Sequence, residues 1–202
     1  MENKMTNEFI FTAQKRDKVG KGASRALRRE GFVPATIYGN KEEPLSIFLN
    51  PKEILSQLPK STFYSHIYKI DIAGLQEEVL VRKVQFHAVT DQPLHVDLLR
   101  IGENTVTRMH VPVILHNQHV SPGLKFGGIL NFIAHSIEIA CNPKVAPTQI
   151  DIDLATAKVG TVIKIEDIKL PQGVKTYLPH GYAIVSINAS EEAEATTTTE
   201  SN

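Results

Sequence analysis

KRDKVGKGASRALRREGFVPATIYG, residues Lys15 to Gly39, holds the densest set of local signals in the chain. From Lys15 to Arg29 it carries Lys15, Arg16, Lys18, Lys21, Arg25, Arg28 and Arg29 against a single acid, Asp17. Gly20 and Gly22 lie inside the run, where the missing Cβ lets backbone N–H groups approach a phosphate. A short helix fits Ala23 to Glu30, and Gly31 is placed to end it in the left-handed conformation. Arg25, Arg28 and Arg29 fall at i, i+3 and i+4 and share one face, leaving Ala23 and Leu27 to pack on the other. Phe32 to Gly39 then reads as a strand entered at a proline and closed by a turn. A basic loop feeding an arginine-faced helix suits a polyanion such as nucleic acid; on composition alone, a solvated charged face is the alternative.

Working outward, the 202 residues carry 22 Lys+Arg and 22 Asp+Glu, a net charge of zero that hides an asymmetry. Residues 1–100 hold 15 basic and 12 acidic side chains (+3), and residues 101–202 hold 7 and 10 (−3). A polyanionic partner is therefore expected to meet the first half. A hydrophobic content of 42% supplies a sizeable core for one or two domains. No apolar run approaches bilayer length, and the opening MENKMTNEFIFTAQ lacks the apolar centre of a secretory signal. The lone Cys141 excludes an intramolecular disulfide and a cysteine-based metal pair, so a cytoplasmic location is expected.

The first hundred residues are mostly strand patterns. Phe9 to Thr12, Phe32 to Gly39, Leu45 to Leu49, His66 to Ala73, Glu78 to Val89 and Leu94 to Ile101 all read as extended, with turns at Gly39-Asn40, Gly74 and Thr90 to Pro93. Asn50-Pro51-Lys52-Glu53 starts a second helix running to Leu58, with Asn as cap, Pro in the first turn and Glu placed for a capping box. Many short strands favour closure into a small barrel, which removes exposed edges. Residues 101–188 carry further strands at Thr105 to Leu115, His135 to Cys141, Gln149 to Leu154, Val162 to Ile165 and Tyr182 to Asn188. Turns at Pro122-Gly123, Gly127-Gly128, Asn142-Pro143 and Pro171 to Gly173 separate them, the cadence of a second all-β domain. The expected domains are 8–100, 101–188 and a disordered acidic tail over 189–202.

A second constellation joins Gln85 and His87 to His95 and Asp97. Residues two apart in a strand share a face, so pairing of these two strands gathers four hydrogen-bonding side chains on one patch. A metal is one reading of His87, His95 and Asp97, and a metal-dependent hydrolase the enzyme class that follows from it. No Cys or Glu completes the ligand set and no nucleophile or cofactor motif accompanies it. Elsewhere, the Pro122 to Gly128 run lacks the Gly-Lys-Ser/Thr of a phosphate loop and reads as a β-turn or bulge. Ser121, Ser136 and Ser186 lack a nucleophile elbow, and His110, His116 and His119 lack a metal framework. No enzyme and no cofactor are expected.

The run Gly-Lys-Gly-Ala-Ser-Arg-x-Leu-Arg-Arg-x-Gly-x-x-Pro-Ala-x-x-Tyr-Gly, Gly20 to Gly39, resembles the opening of bacterial large-subunit ribosomal protein twenty-five and the general stress protein Ctc. Gln85-x-His87 and His95-x-Asp97 are similar to that family's Gln-x-His and His-x-Asp, and the resemblance to its long, two-domain form extends over nearly the whole chain. It implies an N-terminal barrel like that of the anticodon-binding region of glutaminyl-tRNA synthetase, bound to loop E of 5S ribosomal RNA. The partners it implies are 5S rRNA and neighbouring components of the large ribosomal subunit, with no membrane or small-molecule substrate. The residues it marks for RNA contact are Arg16, Lys21, Gly22, Ser24, Arg25, Arg28, Tyr38, Arg82, Gln85, His87, His95 and Asp97. Ala26, Phe86 and Ala88 depart from the family pattern, where arginine, arginine and proline are common, and put single contacts in question. A stress-induced protein that binds RNA transiently near the ribosome is the alternative within the same class.

Overall fold

The computed structural model describes residues 9–103, 105–168, 170, 171 and 173–189. The acidic tail from Ser190 onward and Gln172 of the Pro171 to Gly173 turn lie outside them. The chain divides into two compact units. One ends at Met109 and takes in Asn142–Lys144; the other holds His110–Cys141 and continues from Val145.

The first unit runs β1 (Ile10–Lys15), α1 (Lys21–Arg29), β2 (Val33–Gly39), β3 (Glu42–Leu49), α2 (Pro51–Gln57), a 3-10 turn (Ser61–Tyr64), β4 (Ile67–Ile72), β5 (Leu75–Phe86) and β6 (Pro93–Arg100). The strands close into a barrel in the order β1-β3-β2-β6-β5-β4, so the expected barrel is present. Neighbours are antiparallel except β1 with β4 and β2 with β6, the two parallel joins. Strand alternation does the sorting: on β4, Tyr68, Ile70 and Ile72 are buried while Ile67, Lys69 and Asp71 are only partly so. Ala35, Ile37, Ile47, Leu49, Val96 and Leu98 line the same interior. Each large apolar side chain fully buried there contributes about 1.5–3 kcal/mol. Ile54 of α2 and Phe63 of the 3-10 turn, each 1% exposed, join this core. Phe63 and Phe11 pack on Tyr68, with centroids 5.8 and 4.8 Å away.

Helix ends follow local rules. Gly31, at φ 87°, lets the Phe32 N–H reach the Leu27 carbonyl and its own N–H reach that of Arg28. This double bond pattern is a Schellman cap, with the left-handed residue where glycine was expected. Asn50 caps α2 by accepting the Lys52 N–H at 3.0 Å. Glu53 does not complete a capping box: its carboxylate accepts the Thr12 N–H at 2.9 Å and ties α2 to β1. A long-range donor has displaced the local one.

β5 begins earlier than its sequence pattern suggested and ends at Phe86, three residues short. Its register with β6 shifts between Gln85 and Phe86, and His87 to Thr90 turn back. His87 therefore lies beyond the strand and shares no strand face with Gln85.

β7 (Thr107–His116) begins in the first unit and continues into the second, which also contains α3 (Pro122–Lys125), β8 (Ile129–Phe132), β9 (Ser136–Cys141), β10 (Ile150–Asp153), β11 (Val162–Lys164), a 3-10 turn (Ile165–Asp167), β12 (Lys175–Thr176) and β13 (Ala183–Asn188). Two sheets form, β10-β7-β9-β12 and β11-β13-β8, the second β domain that was expected. Pro122 to Lys125 is a short helix rather than a β-turn or bulge. Pro122 fits a first helical position, and the Lys125 N–H bonds the Ser121 carbonyl at 3.1 Å. β8 and β12 carried no clear pattern because they are only 4 and 2 residues long.

Gly39 tests the turn between β2 and β3. At φ 116° an added Cβ would also sit 3.0 Å from Leu99 Cδ1 and 3.2 Å from the Arg100 carbonyl. Gly39→Ala is expected to cost about 1–3 kcal/mol through strain. Gly31→Ala, strained in φ but facing open space, should cost less. Chemical denaturation of both variants checks the order; equal costs would mean that the Leu99 and Arg100 contacts do not matter.

Candidate nucleic-acid interface

β2 and β6 lie side by side with Thr36 opposite Asp97 and Tyr38 opposite Leu99. β5 flanks β6 with Lys83 opposite Asp97 and Gln85 opposite His95. Ala35, Ile37, Val96 and Leu98 occupy the core, so strand alternation turns Thr36, Tyr38, His95 and Asp97 outward. Residues some sixty positions apart thereby form one patch.

His95 is its centre. Its Nδ1 stands 3.1 Å from Asp97 Oδ1, and its Nε2 lies 3.4 Å from Thr36 Oγ1. The Asp97 contact falls short of hydrogen-bond geometry, leaving Nδ1 buried and incompletely satisfied. Burial pushes the imidazole below its ordinary pKa; Asp97 opposes this, and Arg16 and Arg28 add to it. His95 is therefore neutral near pH 7, able to stack or to exchange hydrogen bonds.

Arg16 and Arg28 fasten the basic segment beside this patch. Arg16 Nη1 donates to Ser24 Oγ at 3.0 Å, while its Nε is buried without a partner. Arg28 Nε donates to the Leu94 carbonyl at 2.9 Å, pinning α1 to the start of β6. Lys21, Gly22, Arg25 and Arg29 are exposed, and among the described residues the three cations have no ion-pair partner. On the other side, burial raises the Tyr38 pKa, Asp97 raises it further and Arg82 opposes them. Arg82 is exposed and donates through Nη1 to the Arg108 carbonyl.

Arg16, Ser24, Arg28, Tyr38, Arg82, Gln85, His95 and Asp97 are thus gathered around β2, β6 and the adjoining helix, with Lys21, Gly22 and Arg25 exposed along α1. His87 is not part of the strand face. Its Nδ1 accepts the N–H groups of Val89 and Thr90, each at 3.3 Å, closing the turn after β5. The metal alternative loses its geometry here, since no group of three His, Cys, Asp or Glu able to hold a metal forms among the described residues. Two members of the patch went unrecognised in the sequence: Thr36, which meets His95, and Lys83, exposed opposite Asp97. The alternation of Thr36 with Tyr38 was the available signal for the first.

A neutral, part-buried His95 has a pH signature. The unfolded chain takes up its proton near pH 6.5, the folded barrel only at a lower pH. The preference for neutral imidazole supports folding above pH 6.5 and is lost as pH falls through the folded value. His66, lowered by burial and by Lys60, acts in the same sense. Thermal melts from pH 7.5 to 5 should show falling stability in the wild type and a shallower fall in His95→Gln. An unchanged slope would mean that the imidazole titrates normally.

Comparison with known proteins agrees with both units. Residues 11–98 match the Ribosomal L25p family and residues 106–191 match Ribosomal protein TL5, C-terminal domain. The chain is 42% identical over 200 residues to the Large ribosomal subunit protein bL25 of Novosphingobium aromaticivorans, covering 96% of this chain and 98% of that one. The bL25 of Rhodospirillum rubrum is 42% identical over 198 residues, 95% of this chain and 94% of its own. That of Caulobacter vibrioides is 37% identical over 188 residues, 93% and 95%. These relatives are ribosomal proteins and not enzymes, and a match of this extent across both β units means that the chain belongs to the bL25 family of ribosomal proteins.

Proposed function

We propose that this protein is a structural, non-catalytic constituent of the bacterial large ribosomal subunit, located on cytoplasmic ribosomes, and that its N-terminal barrel binds 5S ribosomal RNA. The observation that carries the reading is that Arg28 pins α1, with its exposed Lys21, Arg25 and Arg29, to the start of β6, the strand whose His95 meets Thr36 of β2 and whose Asp97 lies opposite it. The two parts do different work. Lys21, Arg25 and Arg29 supply the charge that meets phosphates, which fixes position without reading sequence. The patch repels phosphate at Asp97 and offers acceptors, a neutral imidazole and a phenol, the groups suited to base amino groups and 2′-hydroxyls.

That division also selects the kind of RNA. Regular A-form helices hide base edges in a deep, narrow major groove, whereas an irregularly paired internal loop opens them. The loop E region of 5S rRNA, the family's implied element, is such a target.

Binding of the full-length chain to 5S rRNA is expected to weaken linearly with log salt, with a slope of about −4 for about five phosphates neutralised. Arg25→Ala should reduce the slope by about one and weaken binding to all RNAs alike. Arg28 is a poorer probe, since truncating it also unpins α1. His95→Ala should lower affinity for 5S rRNA by about tenfold, roughly 1.4 kcal/mol, while leaving an unrelated RNA of equal length unaffected. If 5S rRNA binds no better than that control, the specific reading fails.

A further inference from the structure

In the second unit, β10 and β11 are edge strands of different sheets. Among the described residues, the outer edge of neither strand has a backbone partner. Together with Ile168, Leu170 and Pro171 they line one side-open groove of about 650 Å³. Unpaired N–H and C=O groups on a strand edge are a template for another strand. We infer that this groove binds an extended cationic polypeptide segment from a partner protein, added as a strand along β10.

The groove's chemistry selects that occupant. Along β10, Ile150 and Ile152 are buried while Asp151 and Asp153 are exposed, so both carboxylates stand on one side of the edge. Asp151 is held by His116 Nε2 and Gln149 Nε2, each at 2.8 Å. Asp153 accepts Asn117 Nδ2 at 2.8 Å and the Ala155 N–H at 2.9 Å, bonds that hold its carboxyl below the usual range. Both are oriented, and each keeps acceptor capacity. Asp167 adds a third acid to the lining, and Val162 and Ile163 of β11 an apolar wall. Val162 is 45% exposed, an apolar side chain partly open to solvent.

A strand laid on β10 sets its alternate side chains beside Asp151 and Asp153, where opposite charges favour pairing and like charges disfavour it. The intervening side chains turn to the opposite side, where apolar ones suit a groove walled by Val162 and Ile163. The matching pattern is therefore Lys/Arg alternating with Val/Ile. A second copy of the chain would bring Asp against Asp. The chain's own acidic tail is disfavoured for the same reason, and so is RNA.

The test uses the full-length chain and a fluorescein-labelled heptapeptide, Lys-Val-Lys-Val-Lys-Val-Lys, read by fluorescence anisotropy. It should bind at least tenfold tighter than both the glutamate-valine counterpart and a block peptide with four lysines followed by three valines. Asp151→Asn with Asp153→Asn keeps the acceptors but removes the charge, and should weaken binding at least tenfold. Val162→Arg, at an exposed position that leaves the core intact, should do the same. A chain ending at Ala189 should bind as the full chain does. Equal affinity for the block peptide, or binding untouched by either groove variant, would overturn the inference. Much tighter binding after removal of the tail would also overturn it, by making the tail the occupant.

Discussion

The parallel join between β2 and β6 is the constraint on which the first unit depends. It closes a barrel whose other parallel seam, β1 with β4, brings the first strand round to the fourth. In the same stroke it sets Thr36 against Asp97 and so builds the outer patch. Because side chains alternate with a period of two, the register that sends Ala35, Ile37, Val96 and Leu98 inward sends Thr36, Tyr38, His95 and Asp97 outward. A slip by one residue would exchange the faces and expose the core. Hydrophobic burial therefore holds the register of the outer patch in place.

The basic segment depends on that frame in turn. α1 has no fully buried residue, and an isolated helix of nine residues is marginal in water. It is held by its glycine-dependent cap, by the Arg16-Ser24 bond and by Arg28 on the Leu94 carbonyl. Two arginines that look alike in the sequence consequently do different things. Arg28 spends one guanidinium nitrogen on anchoring the helix, whereas Arg25 is exposed to solvent. The two units also differ in electrostatic character: one offers free cations on a helix, the other ordered carboxylates on a strand edge.

Much was legible in the sequence because it was local. The Schellman glycine, the Asn50 cap, the strand alternation and the density of cations around Gly20 and Gly22 are each decided within a few residues. So were the barrel, which follows from many short strands and few helices, and the family motif from Gly20 to Gly39. Where local rules met a long-range competitor, the competitor won. Glu53 left its expected capping role for the Thr12 N–H, and the β5 pattern, apparently continuous to Val89, stopped at a register shift that turned His87 into a turn-closing acceptor.

The sequence by itself determined the mostly β architecture, the location of the positive charge and the residue types available for contact. Only the tertiary structure decided which of them meet. The His95 neighbourhood draws on Arg16, Arg28, Thr36 and Asp97, separated by up to about eighty residues, and no periodicity within one strand reports on pairing between distant ones. The same holds for the imidazole's neutrality, which comes from burial that only the packed barrel supplies. It holds too for the groove between β10 and β11, because a strand shows itself to be an edge only once its sheet has formed.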